Sequence, residues 1–262
     1  MYAYSLEHTN YLKKIKKERI FIAIFRVLII ITFFGIWELL ARVNLINTFL
    51  FSSPSKIINT LINNKDIFKH IGVTLYEVFI SFSLATILGI IIASILWRFN
   101  KLSKIVDPYI TIINSLPKVA LGPLIIIWVG ASINSIIVMA LTISLFTTII
   151  NIYTGFISVD KNYIIMLKSF KASKFEIYRK IILPSNIFNI ISTLKINISM
   201  SLIGVIMGEL LVSKAGLGYL IMYGSQVFNL DLVISSIFIL GIISYIMYFI
   251  LDLVSKKLTI YS

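Results

Sequence analysis

The sequence predicts an all-α membrane protein of about six transmembrane helices. Of its 262 residues 58% are hydrophobic and the mean hydropathy is +0.97. The apolar residues fall in runs long enough to cross a bilayer, and the lysines and arginines gather in a few segments between those runs. A lipid-exposed backbone must satisfy its own hydrogen bonds, and isoleucine- and leucine-rich runs do so as helices.

Six spans are expected, near Val27 to Ala41, Val78 to Trp97, Pro117 to Val129, Ser135 to Phe156, Ile187 to Val212 and Leu232 to Leu251. The third is short and interrupted by Pro117, Gly122 and Pro123, so five spans with a re-entrant piece are the alternative. The predicted organisation is one domain: a cytoplasmic segment over 1–26, a permeation domain over 27–255 with a cytoplasmic segment at 158–185, and a tail over 256–262.

Lys13, Lys14, Lys16, Lys17, Arg19 and Arg26 precede the first span, and Arg98, Lys101, Lys104 and Lys118 follow the second. Lys161, Lys168, Lys171, Lys174, Arg179 and Lys180 lie between the fourth and fifth, with Lys256 and Lys257 after the last. The positive-inside rule puts these segments and both termini in the cytoplasm of a multi-pass protein. The other side holds only Arg42, Lys56, Lys65, Lys69 and Lys214. The net charge of +13 is therefore a topology signal, spread over separate loops, and argues against nucleic acid as a partner. The opening MYAYSLEHTNYLKKIKKER is polar for too long to form a cleavable signal, so the first span is expected to stay in the membrane. Without cysteine there are no disulfides or thiolate metal sites.

Ser81, Ala85, Gly89 and Ala93 recur every four residues along the second span, a row that lets helix backbones approach closely. The fourth span carries Ala140, Ser144, Thr147, Thr148, Asn151, Thr154 and Gly155 on one face, and the fifth carries Asn189, Thr193, Asn197, Ser201, Gly204 and Gly208. Any single residue of these stripes serves interhelical hydrogen bonding as well as a water-filled path. Taken as a pair the stripes favour a hydrated path, and with no arginine in them the expected passage is of low affinity. Lys195 and Glu209 are ionisable groups within the fifth span, about 21 Å apart at ~1.5 Å per residue. They are too far apart to pair. Interfacial anchoring and a part in transport, with Glu209 on the path, both stand open.

No catalytic constellation is visible. His8 and His70 are far apart in the chain, neither lies in HExxH, and no GxxxxGK[ST] phosphate loop is present. The chain is expected to bind no cofactor and to catalyse no reaction itself.

The segment Ser169 to Pro184, SFKASKFEIYRKIILP, is a basic amphipathic ledge between two apolar runs. Ser173 and Glu176 form the S-x-x-E capping-box pattern, which predicts a helix from Lys174 to about Ile182. Phe175, Tyr178 and Ile182 are expected near one side and Lys174, Arg179 and Lys180 exposed, before Pro184 opens the fifth span. Held by a span at each end, the ledge suits a cytosolic protein partner better than the lipid surface.

Five stretches in order carry a resemblance: WELLARVNLINTFLFSSPSKIINTL (Trp37 to Leu61), HIGVTLYEVFISFSLATILGIIIA (His70 to Ala93), SLPKVALGPLIIIWVGAS (Ser115 to Ser132), FKASKFEIYRKIILP (Phe170 to Pro184) and IGVIMGELLVSKAGLGYLI (Ile203 to Ile221). The chain resembles the permease subunits of bacterial ATP-binding cassette (ABC) importers of the nitrate/sulfonate/taurine group. The resemblance implies a type I importer fold in the plasma membrane. It implies two permease copies, two cytosolic ATPases that hold ATP and Mg, and an extracytoplasmic solute-binding protein. Ser169, Phe170, Lys171, Ala172, Ser173, Lys174, Phe175, Glu176, Tyr178, Arg179 and Pro184 would form the coupling helix that docks in the ATPase. Ser144, Thr147, Thr148, Asn151, Thr193, Asn197, Ser201 and Glu209 would line the path. The implied solutes are sulfonates, taurine and nitrate, or heterocycles such as pyrimidine precursors and riboflavin. The sequence keeps Ile181, Leu183 and Pro184 of the family pattern EAA-x3-G-x9-I-x-LP. Ile165, Met166 and Leu167 replace EAA, and Lys171 replaces the glycine. Since the glycine's turn needs positive φ, the turn before Ser173 is expected to be built differently. An ion-coupled secondary transporter, the rival reading, would show an inverted repeat, and none is visible.

Overall fold

The computed structural model describes residues 6–259, with side chains over 10–256. The ends of the expected terminal segments, 1–5 and 260–262, lie outside the described residues, as do the side chains of His8 and Lys257. Every element is helical among the described residues. Five helices are long and apolar enough to cross a membrane, and a bent pair of helices makes a sixth span if it is counted as one. The chain divides into two compact units at Asn63.

The first unit holds α1 (Leu6–Arg42), α2 (Thr48–Phe51) and α3 (Pro54–Asn63). Helix α1 starts well before the expected Val27, because nothing in the basic stretch of Lys13 to Arg26 breaks a helix. Glu38 ties the unit together by accepting from the Arg42 guanidinium at 2.8 Å and from the Ser55 amide at 3.1 Å.

The second unit is built on α4 (Ile67–Arg98), α7 (Ile133–Ile157) and α11 (Ile187–Val212), which pack against one another. The expected small-residue row of α4 is the contact surface: Ser81, Ala85, Gly89 and Ala93 are all buried. A Cβ on Gly89 would meet Thr148 Cγ2 at 2.5 Å, and one on Gly204 of α11 would strike the backbone of Ala140 on α7. Backbones this close give dispersion contact along the whole seam. Val78, Ile136, Ala140, Leu202 and Val205 fill one end, and Ala93, Ile152, Phe156, Ile177 and Ile182 fill the other. Helices α12 (Leu217–Gln226) and α13 (Leu230–Thr259) pack on each other and on α11.

The third span is broken where its prolines and glycine interrupt it. Asn100–Ser115 forms α5, and a 3₁₀ turn over Lys118–Leu121 leads into α6 (Gly122–Val129) at a bend of 87°. Leu116 is extended, ψ 144°, as a residue before proline must be, and this breaks the helix at Pro117. The stretch holding Lys101 and Lys104 is therefore helix, with Pro108 inside it.

Gly204→Ala should lower the thermal unfolding temperature in detergent by an amount equivalent to about 1–3 kcal/mol of overpacking. Gly241→Ala on α13, where nothing lies within 4 Å of the new Cβ, should leave it unchanged or slightly raised.

Candidate functional site

The segment between α7 and α11 is four short pieces of helix. Lys161–Ser169 forms α8, Lys174–Ile177 forms α9, Tyr178–Ile182 is a π turn, and Leu183–Ser185 forms α10. Helix α8 ends in a Schellman motif: the Ala172 amide donates to Leu167 O at 3.0 Å and the Lys171 amide to Lys168 O at 2.8 Å. The motif needs a left-handed residue after the cap, and Lys171 supplies it at φ +57°. The expectation of a differently built turn is thus corrected. Two carbonyl bonds and the packing of Leu167 and Ala172 against one apolar cluster hold a lysine where glycine is easier, at about 1–2 kcal/mol of backbone strain.

The capping box is formed as expected. The Glu176 amide donates to Ser173 Oγ at 3.2 Å, and the Ser173 amide donates to Glu176 Oε2 at 2.7 Å. That amide holds the Glu176 carboxyl below its ordinary value. Beyond Ile177 the helix widens, and the Leu183 amide reaches back five residues to Tyr178 O. In α geometry the Pro184 ring would crowd the Lys180 carbonyl, and the wide turn relieves this. Pro184 consequently lies in α10 and not at the opening of the fifth span. The buried side chain of Asn186 donates its Nδ2 to the Ile182 carbonyl at 2.9 Å.

Tyr178 fixes the segment to the core. Its hydroxyl lies 2.7 Å from Ser94 Oγ on α4, and its ring meets Trp97 at 5.5 Å and Phe156 at 5.8 Å. A pocket of about 290 Å³ opens beside it, lined by Trp97, Arg98, Lys174 and Phe175 among others. Phe175 faces outward, 68% exposed, and Ile177 takes the inner position expected for it. Phe170 is 77% exposed. Around the two phenylalanines Ser169, Lys171, Ser173, Lys174, Glu176, Arg179, Lys180 and Pro184 are exposed, while Ala172 and Tyr178 are half-buried. The result is a cationic surface with two protruding aromatic side chains.

The polar stripes of α7 and α11 meet each other and α4 within the chain. Ser144, Thr148, Thr193, Asn197, Ser201 and Glu209 are buried. Ser144 and Thr148 donate back to the carbonyls of Ala140 and Ser144, and Thr193 to that of Asn189. Asn197 donates to Thr86 Oγ1 at 2.7 Å across to α4, and its own Oδ1 faces Ser201 Oγ at 3.5 Å. Within the chain these six are covered by neighbouring helices, and their hydroxyls, the Asn197 amide and the Glu209 carboxyl all take part in hydrogen bonds. Thr147 and Asn151 are half-buried. Thr147 faces Asn114 at 3.4 Å, and the Asn151 carbonyl accepts from Asn189 at 3.0 Å.

Both charges of the fifth span have partners within the chain. Lys195 Nζ pairs with Asp252 on α13 at 2.7 Å, and Asp252 also holds Lys256 at 2.8 Å. Glu209 closes the other end of the core. It accepts from the Thr74 hydroxyl at 2.6 Å and from the Gly218 amide at 2.5 Å. Beside it the Leu217 amide donates to Thr74 Oγ1 at 2.9 Å and the Gly216 amide to His70 Nδ1 at 3.0 Å. Gly216, at φ +112°, lies so close that a Cβ would strike the Glu209 carboxylate, which explains the GLG stretch physically. Thr74, Glu77, Ser94, Asn186 and Asp252 were not singled out from the sequence, and His70 was considered there only as a catalyst.

Residues 85–260 match the family described as the binding-protein-dependent transport system inner membrane component. The chain belongs to that family. The permease is 27% identical over 79% of its length to the formylaminopyrimidine transport permease protein of Halalkalibacterium halodurans, of which it covers 84%. It is 26% identical over 86% of its length to a putative aliphatic sulfonates transport permease protein of Bacillus subtilis, of which it covers 82%. Its fold is similar to that of the inward-facing methionine ABC transporter, with TM-score 0.66 and 19% identity over 73% of the permease and 95% of that chain. The permease is a multi-pass membrane transport subunit of the ABC importer class, and the ion-coupled alternative is not favoured.

Lys171→Gly should stabilise the turn by about 1 kcal/mol, and Ser173→Ala should destabilise α9 by about 1 kcal/mol. Both are read from amide exchange at residues 171–177. Because the Glu176 carboxyl is held below its ordinary value, the capping bond is fully present above the ordinary carboxylate range. It is lost as pH falls through the lowered folded value. Protection of the Ser173 amide should therefore fade only in acid, and Glu176→Gln should abolish that pH dependence.

Proposed function

We propose that this permease works as a homodimer in the bacterial plasma membrane, with both termini in the cytoplasm. Two cytosolic ABC ATPases carry ATP and Mg and perform the hydrolysis; the permease binds no cofactor. An extracytoplasmic binding protein delivers a sulfonate-, taurine- or nitrate-like solute. A pyrimidine-precursor or riboflavin-like heterocycle is the second solute class, supported by the formylaminopyrimidine relative.

The observation that carries this reading is the ledge of exposed Phe170 and Phe175 among Lys171, Lys174, Arg179 and Lys180, fastened through Tyr178 to α4 and α7. Aromatic side chains ringed by cations suit a groove with an apolar floor and an acidic rim. Because the ledge is bonded to the helical core, a displacement imposed on it by nucleotide-driven closure moves α4 and α7 with it. The transport step is alternating access without covalent chemistry, and lipid surrounds the apolar helices.

Phe175→Asp and the double variant Arg179→Glu/Lys180→Glu should each weaken co-purification with the cognate ATPase at least about tenfold, roughly 1.4 kcal/mol, without lowering the permease's own thermal stability. ATP hydrolysis by the complex in proteoliposomes with binding protein, measured against taurine, an alkanesulfonate, nitrate and an aminopyrimidine, identifies the solute. Transport that follows an ion gradient with no ATPase bound would overturn the proposal.

A further inference from the structure

Glu77 is the anomaly of the core. It lies on α4 three residues after Thr74, its side chain is 0% exposed, and both carboxyl oxygens are without a hydrogen-bond partner. Beside it is the Glu209 carboxyl of α11, held at 2.6 Å by Thr74 one turn earlier on the same helix as Glu77 and itself 1% exposed. An isolated buried carboxylate is strongly disfavoured, and two side by side more so.

The hydrogen-bond inventory distinguishes the two. Glu209 is an acceptor at both oxygens, from Thr74 and from the Gly218 amide. Glu77 has no donor facing it, so an ionised Glu77 would have nothing to accept from. A protonated carboxyl, by contrast, is itself a donor, and the Glu209 carboxylate is the acceptor beside it. The surroundings offer no counter-charge. His70 on α4 spends Nδ1 on the Gly216 amide and stacks on Tyr219 of α12 at 5.7 Å. The titratable group of α7, Tyr153, lies toward the other end of that helix. On α13, Asp231 stands at the start and Asp252 is engaged by Lys195 and Lys256. Lys214, in the loop before α12, is exposed.

We propose that Glu77 and Glu209 hold a single proton between them, carried on Glu77 and donated to Glu209. The proton lets Glu209 keep the one negative charge that Thr74 and the start of α12 stabilise. It thereby fastens residues 213–218 to α4 at the end of the core opposite the coupling segment. No site or activity assigned to the permease above uses this proton.

The test is infrared spectroscopy of the purified permease in D2O at neutral pH, where a buried carboxylic acid shows a C=O stretch separate from the bands of ionised carboxylates. Wild type should show that band and Glu77→Gln, whose amide replaces the donor, should lose it. A second measurement follows thermal unfolding on raising the pH. The wild-type unfolding temperature should fall on the alkaline side, as the proton leaves two like charges buried, and the Glu77→Gln curve should stay flatter. No such band in wild type, a band that persists in Glu77→Gln, or parallel pH curves would overturn the proposal.

Discussion

The close approach of α4, α7 and α11 is the constraint on which the remaining structure rests. Lipid gives helices no hydrophobic reason to associate, so contact must come from backbone proximity and from hydrogen bonds that lose nothing by leaving water. Gly89 against Thr148, Gly204 against Ala140 and Gly208 against Ile136 provide the proximity. The hydroxyls of Ser81, Ser144, Thr148 and Thr193 donate to carbonyls of their own helices, so polar atoms enter the seam already satisfied. Such a core resists internal sliding, since any shift drives a side chain into a backbone.

That rigidity gives meaning to what is attached at each end. The exposed segment of residues 161–185 joins through Tyr178, and the loop before α12 joins through Glu209, Thr74 and His70. A displacement at one end reaches the other through a body that does not bend, which is the property a mechanically driven transporter needs. The Lys195–Asp252 pair, partly open to solvent, joins α13 to the same body.

The fold was legible in the sequence because hydropathy and charge placement both derive from the bilayer. The small-residue row of α4 and the Ser173–Glu176 cap were equally readable, since each depends on neighbours a turn apart. The meaning of the stripes was not. A row of Ser, Thr and Asn is the same whether it faces water or another helix, and only the facing of Gly89 and Thr148 decides. The ionisable groups beside the two recognised charges escaped for a sharper reason. Glu77 sits one residue before the expected second span, and Asp252 one residue after the expected sixth. Drawing a span by its apolar content trims away the ionisable groups at its edges. Helices continue until a breaker stops them, and so α4 begins at Ile67 and α13 runs past Lys256. Lys171 shows the converse case: the residue argued against the turn, but the carbonyl bonds of the Schellman motif outweigh one residue's preference.

The wide turn at Tyr178–Ile182 also limits how the segment can move. Removing its extra residue to recover regular α geometry would spin everything downstream by roughly 100° about the axis. Such a rotation would carry Gly204 off Ala140 and Asn197 off Thr86. The interlocked seam opposes that rotation, so the extra residue of the wide turn and the packing of α11 specify each other.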